Sequence, residues 1–414
     1  MKTDQTSGLD RYEALGEPVA AAHQPWVLLG INALYVGFGL IMGVVNGGMP
    51  AIMRDQGLSI ASTGWLYLLY LPFGLTFLWA PMIDRVGLPL ISRRLGWIVA
   101  MQSAAILLLI LIALSEGIPW WQLFGLGLLV SLAIATMDLA LDAMAVKTIL
   151  PAWRPVASAT KLAALSLGAM LGGGGFVGFF DQLGWQNAFL LLSMVMGLLL
   201  LFALPLGRFD AVSSQPDSSH GRASLLKLLS VADSRRRVLL LTLTCCIIFP
   251  LAGLNRLMLI DLGVSIQQVG WIVGTLGPLT MMATSAVSIP LMKLAGLTRT
   301  MSLFAAVSLL SLVAMGYGFL QLVPTLAMAG AIAIGAGVSG IYVTVAAKIL
   351  GWSEGAQPAT DYAAYYGISR FASTLVTVGA ASLISLIGWG LFYAIGALAL
   401  LLVISVLRHL YSEE

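Results

Sequence analysis

The feature that most constrains this chain is a succession of apolar stretches, each about 20 residues long and nearly free of charge. A helix of that length crosses a bilayer, because it rises about 1.5 Å per residue. Charged residues make up only 9% of the 414 residues, against roughly 25% in soluble domains. Continuous runs of this kind indicate helices, since the strands of membrane barrels alternate over about ten residues. The sequence therefore predicts an all-α, multi-pass membrane protein.

The loops between these stretches predict how the chain is oriented. Positive residues concentrate in alternate loops and include the run Arg235-Arg236-Arg237, and such loops stay in the cytoplasm. Acidic residues within 1–25 argue against a basic leader, so the first stretch should be an uncleaved anchor. We expect cytoplasmic termini and twelve helices, at residues 26–47, 62–84, 95–115, 120–146, 156–179, 186–206, 237–258, 267–292, 301–320, 324–347, 360–384 and 388–408.

A polar segment at residues 207–236 divides the chain near its middle. Its Ser, Asp, Gln and Arg residues cannot form a buried core, so it should be a linker on the cytoplasmic surface. The predicted organisation is a cytoplasmic segment 1–25, a six-helix bundle 26–206, the linker 207–236, a second six-helix bundle 237–408 and a cytoplasmic tail 409–414.

An internal repeat relates the two predicted bundles. Residues 55–65 and 261–271 are identical at six of eleven positions, with an offset of 206 residues. Both copies lie between the first and second helix of a bundle. The shared residues predict a helix end, a turn at a glycine, a serine cap and a new helix. Two like-oriented six-helix halves are typical of the major facilitator architecture, in which the solute path lies between the halves.

Four charged side chains lie inside predicted helices and more than two residues from a helix end, and a charge at the bilayer centre costs about 2.5–3.5 kcal/mol. Asp138 and Asp142 are one turn apart and share a helix face. Lys161 and Arg370 occupy similar places in the two bundles, and a guanidinium suits an anionic solute. We interpret the four as candidates for substrate binding and proton coupling. The alternatives are a structural or gating salt bridge between Asp142 and Lys161, and snorkelling to the interface.

A second group of side chains is a candidate lining for the solute path. Polar residues lie near the outer ends of two helices, and tyrosines that could stack on an aromatic solute occur along three others. Each tyrosine has an equally simple role in packing. Glycines within 156–179 predict close helix packing or a hinge. The candidate lining residues are Asn46, Tyr67, Tyr70, Asn255, Arg256, Tyr342, Tyr365 and Tyr366.

The composition and the motifs of the sequence argue against several classes of function. Cys245 and Cys246 lie within an apolar run and all histidines lie outside such runs, so no metal site or disulfide framework is expected. A net charge of +3 is too small to indicate a basic surface that binds nucleic acid. ATP-binding motifs and catalytic triads are missing as well. We therefore expect neither an enzyme nor a bound cofactor.

The second predicted helix carries a family resemblance. Residues 71–85, LPFGLTFLWAPMIDR, followed by SRRLGW at 92–97, resemble the AmpG-like branch of the major facilitator superfamily, as does the stretch around Asp138 and Asp142. In facilitators, an acidic-basic pair ending helix 2 and a basic pair opening helix 3 form a cytoplasmic latch. The resemblance implies this role, with a longer spacer than usual, for Asp84, Arg85, Arg93 and Arg94.

Within that branch, muropeptide permeases tend to carry additional helices, so the chain looks more similar to siderophore permeases of the pyochelin and rhizobactin type. The resemblance implies a monomer in the bacterial inner membrane that imports a ferric siderophore together with protons. The solute would chelate the iron, so the protein needs no metal ligands. The alternatives are a permease for muropeptides or another amphipathic anion, and a membrane receptor or assembly factor that transports nothing.

Overall fold

A computed structural model describes residues 17–86, 88, 93–150, 153–207, 231–352 and 358–413, and the regular elements within these ranges are all helical. Before the linker they are α1 (Glu17–Gly43), a π-helical segment (Val44–Gly48), α2 (Met49–Asp55), α3 (Ile60–Gly64), a 3-10 segment (Trp65–Tyr70), α4 (Leu71–Leu75), a 3-10 segment (Thr76–Leu78), α5 (Ala80–Arg85), α6 (Arg93–Ala113), α7 (Trp120–Thr148), α8 (Arg154–Met170), a π-helical segment (Leu171–Gly175), α9 (Phe176–Leu201) and a 3-10 turn (Leu204–Leu206). After it they are α10 (Ala232–Gly253), α11 (Asn255–Asp261), α12 (Ile266–Gln268), a π-helical segment (Val269–Val273), α13 (Gly274–Ala295), α14 (Leu297–Leu320), α15 (Pro324–Trp352) and α16 (Pro358–Glu413).

Among the described residues, nine helical segments are long and apolar enough to cross a membrane. Two of them, Thr160–Leu206 and Tyr365–Leu410, are 47 and 46 residues long, well beyond the roughly 20 residues that one crossing needs. Each contains a glycine at which the backbone leaves the helical conformation, with φ of 69° at Gly184 and 78° at Gly388. The all-helical, multi-pass prediction is confirmed. The count of twelve and the cytoplasmic termini stay predictions.

The second predicted helix, 62–84, is the clearest difference between sequence and structure. The sequence predicts one continuous helix, whereas the structure divides it into α3, α4 and α5 with 3-10 segments between them. Pro72 and Pro81 lie in this stretch, and each lacks the amide proton that a continuous helix requires. The longest apolar helical segment here, Ile60–Leu75, is too short to count among the nine.

The described chain forms two compact units that are discontinuous in sequence. Unit 1 comprises residues Met1–Ile41, Thr76–Gly168 and Leu183–Gly221. Within it α6 packs along α7, and glycines allow α1 to approach its neighbours closely. A Cβ on Gly168 of α8 would lie 2.6 Å from the amide nitrogen of Leu40. The buried Gln102 side chain fixes α6 to α9 by donating to the carbonyl of Met196 at 2.9 Å.

Unit 2 comprises residues Met42–Leu75, Ala169–Gln182 and Arg222–Glu414. Within it α14 packs against α15 and α16, α10 packs against α16, and α3 and α4 also contact α16. Its core is formed by fully buried apolar side chains such as Met301, Ile334 and Ile341. The predicted bundle boundaries remain a prediction, and most of the predicted linker, residues 208–230, lies outside the described residues.

Candidate functional site

The repeated segment ends its first helix in the same way in both copies. Gly57 and Gly263 have φ values of 94° and 84°, in the left-handed region that glycine tolerates best. The next residue in each copy donates its amide to the carbonyl five residues earlier, at 3.0 Å for both Leu58 and Val264. This is the Schellman arrangement that satisfies carbonyls at a helix end. The predicted helix end and glycine turn are confirmed.

A serine starts the following helix in each copy. The Ser59 hydroxyl accepts from the amide of Ser62 at 3.1 Å, and the Ser265 hydroxyl accepts from the amide of Gln268 at 3.3 Å. These bonds satisfy amides that have no partner within their own helix. The predicted serine caps are therefore confirmed, and the repeat is a matched pair of helix–turn–helix corners.

The two corners contact each other within unit 2 through an ion pair. Arg54 Nε donates to Asp261 Oδ1 at 2.6 Å, and Trp389 Nε1 donates to Asp261 Oδ2 at 2.7 Å. The side chain of Asp261 is only 12% exposed, and both of its oxygens are bonded. Sequence reasoning missed this contact, because 207 residues separate Arg54 from Asp261.

Trp389 also belongs to a repeat that sequence reasoning missed. Gly184-Trp185 and Gly388-Trp389 recur with an offset of 204 residues, and both glycines have positive φ. Trp185 Nε1 donates to the carbonyl of Ile112 at 2.9 Å, within unit 1. The signal that could have revealed this repeat is the Gly-Trp dipeptide at half-length spacing, close to the offset of the first repeat.

The charged side chains predicted in α7 and α8 meet in unit 1. Lys161 Nζ donates to Asp142 Oδ1 at 2.6 Å, and the two side chains are 34% and 47% exposed. The ammonium also lies 4.4 Å from the centroid of the Tyr35 ring, and the Tyr35 hydroxyl donates to the same carboxylate oxygen. Residues Tyr35, Asp142 and Lys161 form what we call the ionic cluster. It places a partly exposed carboxylate and a partly exposed cation inside apolar segments.

Tyr35 is the member of the ionic cluster that sequence reasoning missed, since a single tyrosine in the first apolar helix carries no local signal. Asp138 lies one turn before Asp142 on α7 and also interacts electrostatically with Tyr35. Tyr35 is 2% exposed. Its fixed ring therefore orients the hydroxyl toward the carboxylate, while Asp142 and Lys161 remain accessible.

Arg256 occupies a notch in unit 2. Its guanidinium lies against Gly47 and Gly173, and a Cβ on Gly173 would be 3.0 Å from two guanidinium nitrogens. Its Nη1 donates to the carbonyl of Gly173 at 2.9 Å. Gly47 and Gly173 belong to the π-helical segments Val44–Gly48 and Leu171–Gly175, a local geometry that is frequent at functional sites. Among the described residues, no carboxylate lies within ion-pair distance of Arg256.

The tyrosine candidates divide into buried and accessible members. Tyr67 is 4% exposed and donates to the carbonyl of Gly253 at 2.8 Å, and Tyr365 is 1% exposed. Both side chains are therefore packed in the protein interior. Tyr342 is partly exposed and contacts two further rings in unit 2, Phe249 with centroids 5.7 Å apart and Tyr366 with centroids 5.9 Å apart. We call these three rings the aromatic platform.

The remaining candidates are two asparagines, Tyr70, Arg370 and the predicted latch. Asn255 is buried and donates to the carbonyl of Ala331 at 3.2 Å, whereas Asn46 is exposed among buried neighbours. Tyr70 packs against Phe73 with centroids 5.3 Å apart. Arg370 lies on α16, whose backbone there approaches Gly74. Of the predicted latch, the side chains of Asp84, Arg85 and Arg93 lie outside the described residues, while that of Arg94 is partly exposed.

Comparison with protein families gives a match that covers more than half of the chain. The family model described as Major Facilitator Superfamily matches residues 31–260. The nucleoside transporter NupG has a similar fold, with a TM-score of 0.72 over 92% of this chain and 98% of that chain. The two sequences are 13% identical, so this likeness concerns the fold alone.

Two curated relatives match shorter segments. The anhydromuropeptide permease of Escherichia coli K12 is 28% identical over 170 residues, which cover 39% of this chain and 34% of the permease. An uncharacterized protein of Haemophilus influenzae is 37% identical over 114 residues, which cover 26% of each chain. The chain thus spans about a quarter to a third of the length of these relatives.

Proposed function

Because the chain belongs to the Major Facilitator Superfamily, a superfamily of membrane transporters rather than enzymes, we propose that it is an inner-membrane permease for muropeptides or another amphipathic anion. The relative named as an anhydromuropeptide permease supports this solute class. The siderophore interpretation has no support among the relatives, and the alternative that the sequence left open is favoured instead.

The observation that carries the proposal is the ionic cluster. A permease that uses the proton gradient to accumulate an anion needs a group that takes up and releases a proton in step with the solute. Asp142 is a partly exposed carboxylate that is bonded to a cation and to a hydroxyl. Protonation of Asp142 would weaken its attraction for Lys161 and free the ammonium for an anionic solute. Asp142 is then the proton carrier and Lys161 a solute-binding charge.

The decisive experiment compares solutes in cells. An Escherichia coli strain without its own anhydromuropeptide permease is supplied with this chain, and accumulation of radiolabelled anhydromuropeptide is measured. A parallel strain without inner-membrane siderophore permeases is tested for uptake of a ferric aromatic siderophore. We expect the first uptake to be restored and the second to stay at background.

The opposite results would overturn the proposal in different ways. Iron uptake without muropeptide accumulation would restore the siderophore interpretation. Failure of both, with the chain detected in the membrane, would favour a receptor or assembly factor that transports nothing. The Asp142→Asn variant is the control for proton coupling, because it keeps nearly the same side-chain shape but removes the ionisable carboxyl group.

A further inference from the structure

One face of the seventh predicted membrane helix, residues 237–258, carries two different binding elements within unit 2. Phe249 of the aromatic platform lies in α10 and Arg256 lies in the first turn of α11, seven residues later. The backbone of Leu254 between the two helices stays in the right-handed helical region, so nearly two turns bring both side chains to the same side. At a rise of about 1.5 Å per residue, their separation along the axis is about 10 Å. Gly253 lies between them on this side.

Polar groups lie close to the surface between these two elements. Gly253 has no side chain, and a Cβ there would lie 3.8 Å from Oδ1 of Asn46 and 3.7 Å from the Tyr67 ring. Asn46 is exposed although the residues on either side of it are buried. Its amide therefore points away from the packed interior and toward the face that carries Gly253. We call the strip from the aromatic platform past Gly253 to Arg256 the α10–α11 face.

The guanidinium of Arg256 is unusual in having a single described hydrogen-bond acceptor. Its five N–H donors are matched to one backbone carbonyl, that of Gly173. A guanidinium in an apolar segment without a counter-charge is costly, so its position requires a compensating role. A carboxylate accepts two parallel bonds from a guanidinium and supplies the missing charge.

From these observations we propose that the α10–α11 face is a two-point solute site. The aromatic platform takes a ring of the solute, and Arg256 takes a carboxylate about 10 Å away, exchanging its bond to Gly173 for a bidentate pair. This inference rests on the proposed permease function and deepens it, because it assigns the residues that would recognise a ring and a carboxylate of the solute. Neutral amphipathic molecules are expected to be poor solutes.

The test uses purified protein in proteoliposomes and two matched probes, an anhydromuropeptide with free carboxylates and the same molecule with its carboxylates converted to carboxamides. Wild-type protein should prefer the acid, with a KM lower by about tenfold or more, as expected for a charge-assisted bidentate bond. Arg256→Gln should remove this preference by raising the KM for the acid alone. Arg256→Lys should keep part of it, since lysine retains the charge but not the planar fork.

Matched controls separate this role from folding and from general electrostatics. Arg54→Gln removes a charge that is paired with Asp261, and it should leave the acid-to-amide ratio as in the wild type. Tyr342→Leu should raise KM for both probes by a similar factor, whereas Tyr317→Leu, on an exposed position of α14, should change neither. All variants are first checked for membrane insertion and monodispersity.

The outcomes distinguish this inference from the proposed function. If wild-type protein transports neither probe, the permease function itself is wrong. If it transports the acid but Arg256→Gln keeps the acid-to-amide ratio, or slows both probes equally, the two-point site is wrong and Arg256 is a structural residue of the glycine notch. A change of ratio in Arg54→Gln equal to that in Arg256→Gln would also overturn the site.

Discussion

The first prediction concerns whether Asp142 carries a proton or only forms a structural pair with Lys161. The test removes each of the two charges singly and then removes both. The variants are Asp142→Asn, Lys161→Gln and the double variant. If the pair is structural, each single change leaves one unmatched charge, and the double change removes the mismatch. If Asp142 carries the proton, no change at Lys161 can restore the proton coupling that is lost with the Asp142 carboxyl group.

The structure sets the size of the structural effect. In the proposed function the exposed surfaces of the two side chains, 34% and 47%, face the water-filled solute path, and ion pairs exposed to water couple by about 0.2–1 kcal/mol. The contact between the ammonium and the Tyr35 ring adds about 0.5–1 kcal/mol. We therefore expect each single variant to lose no more than about 2 kcal/mol of stability, and the coupling energy between the two sites to be about 1 kcal/mol. Losses of this size should leave the protein folded.

The assay separates coupling from solute passage. Proteoliposomes with an imposed proton gradient report accumulation, and solute counterflow without a gradient reports exchange. We expect Asp142→Asn to lose gradient-driven accumulation while keeping exchange, and the double variant to remain uncoupled. Thermal unfolding in detergent monitors stability. Recovery of gradient-driven accumulation in the double variant would refute the reasoning, as would normal accumulation by Asp142→Asn across external pH.

Three further predictions concern the architecture. Ser59→Ala and Ser265→Ala each remove a helix cap and should lower stability by about 1 kcal/mol in thermal or denaturant unfolding; unchanged unfolding would contradict the capping role. Gly168→Ala should destabilise the protein by about 1–3 kcal/mol, because its Cβ would meet the backbone of α1, whereas Gly125→Ala, with nothing within 4 Å, should be neutral or slightly stabilising. Asp261→Asn removes the charge that pairs with Arg54 and leaves one acceptor oxygen for two donors, Arg54 Nε and Trp389 Nε1. It should therefore cost about 1.5–3 kcal/mol, while Asp55→Asn at the matching, exposed position of the repeat should stay within about 0.5 kcal/mol.

The parts of the fold that follow from local chemistry could be predicted. The apolar segments are dictated by the bilayer, and the corners at residues 55–65 and 261–271 follow from a glycine that accepts positive φ and a serine that caps a helix. The pairing of Asp142 with Lys161 was open as an alternative, because the two helices follow one another in sequence. These features need no knowledge of distant contacts.

Features that depend on distant contacts could not be predicted. The division of residues 62–84 into short helical pieces combines proline chemistry with packing against α16. Tyr35 joins the ionic cluster from 107 residues away, and Arg256 reaches a carbonyl 83 residues away. The π-helical segments leave no pattern in the sequence that distinguishes them from ordinary helix. Their positions follow from close packing of glycines between helices.

The charges of Asp261, Asp142 and Arg256 acquire different meanings once their partners are known. Asp261 has both oxygens bonded and is 12% exposed, so its charge is consumed by structure and offers nothing to a solute. Asp142 and Lys161 are paired but partly exposed, and an ion pair that contributes little energy can exchange partners at little cost. Arg256 has a carbonyl but no carboxylate among the described residues, so the energy of its burial is recovered only when an anion arrives. The charge that remains to bind a solute therefore increases from Asp261 to Asp142 to Arg256. Substitution of Asp261 should mainly lower stability, whereas substitution of Arg256 should mainly change solute selectivity.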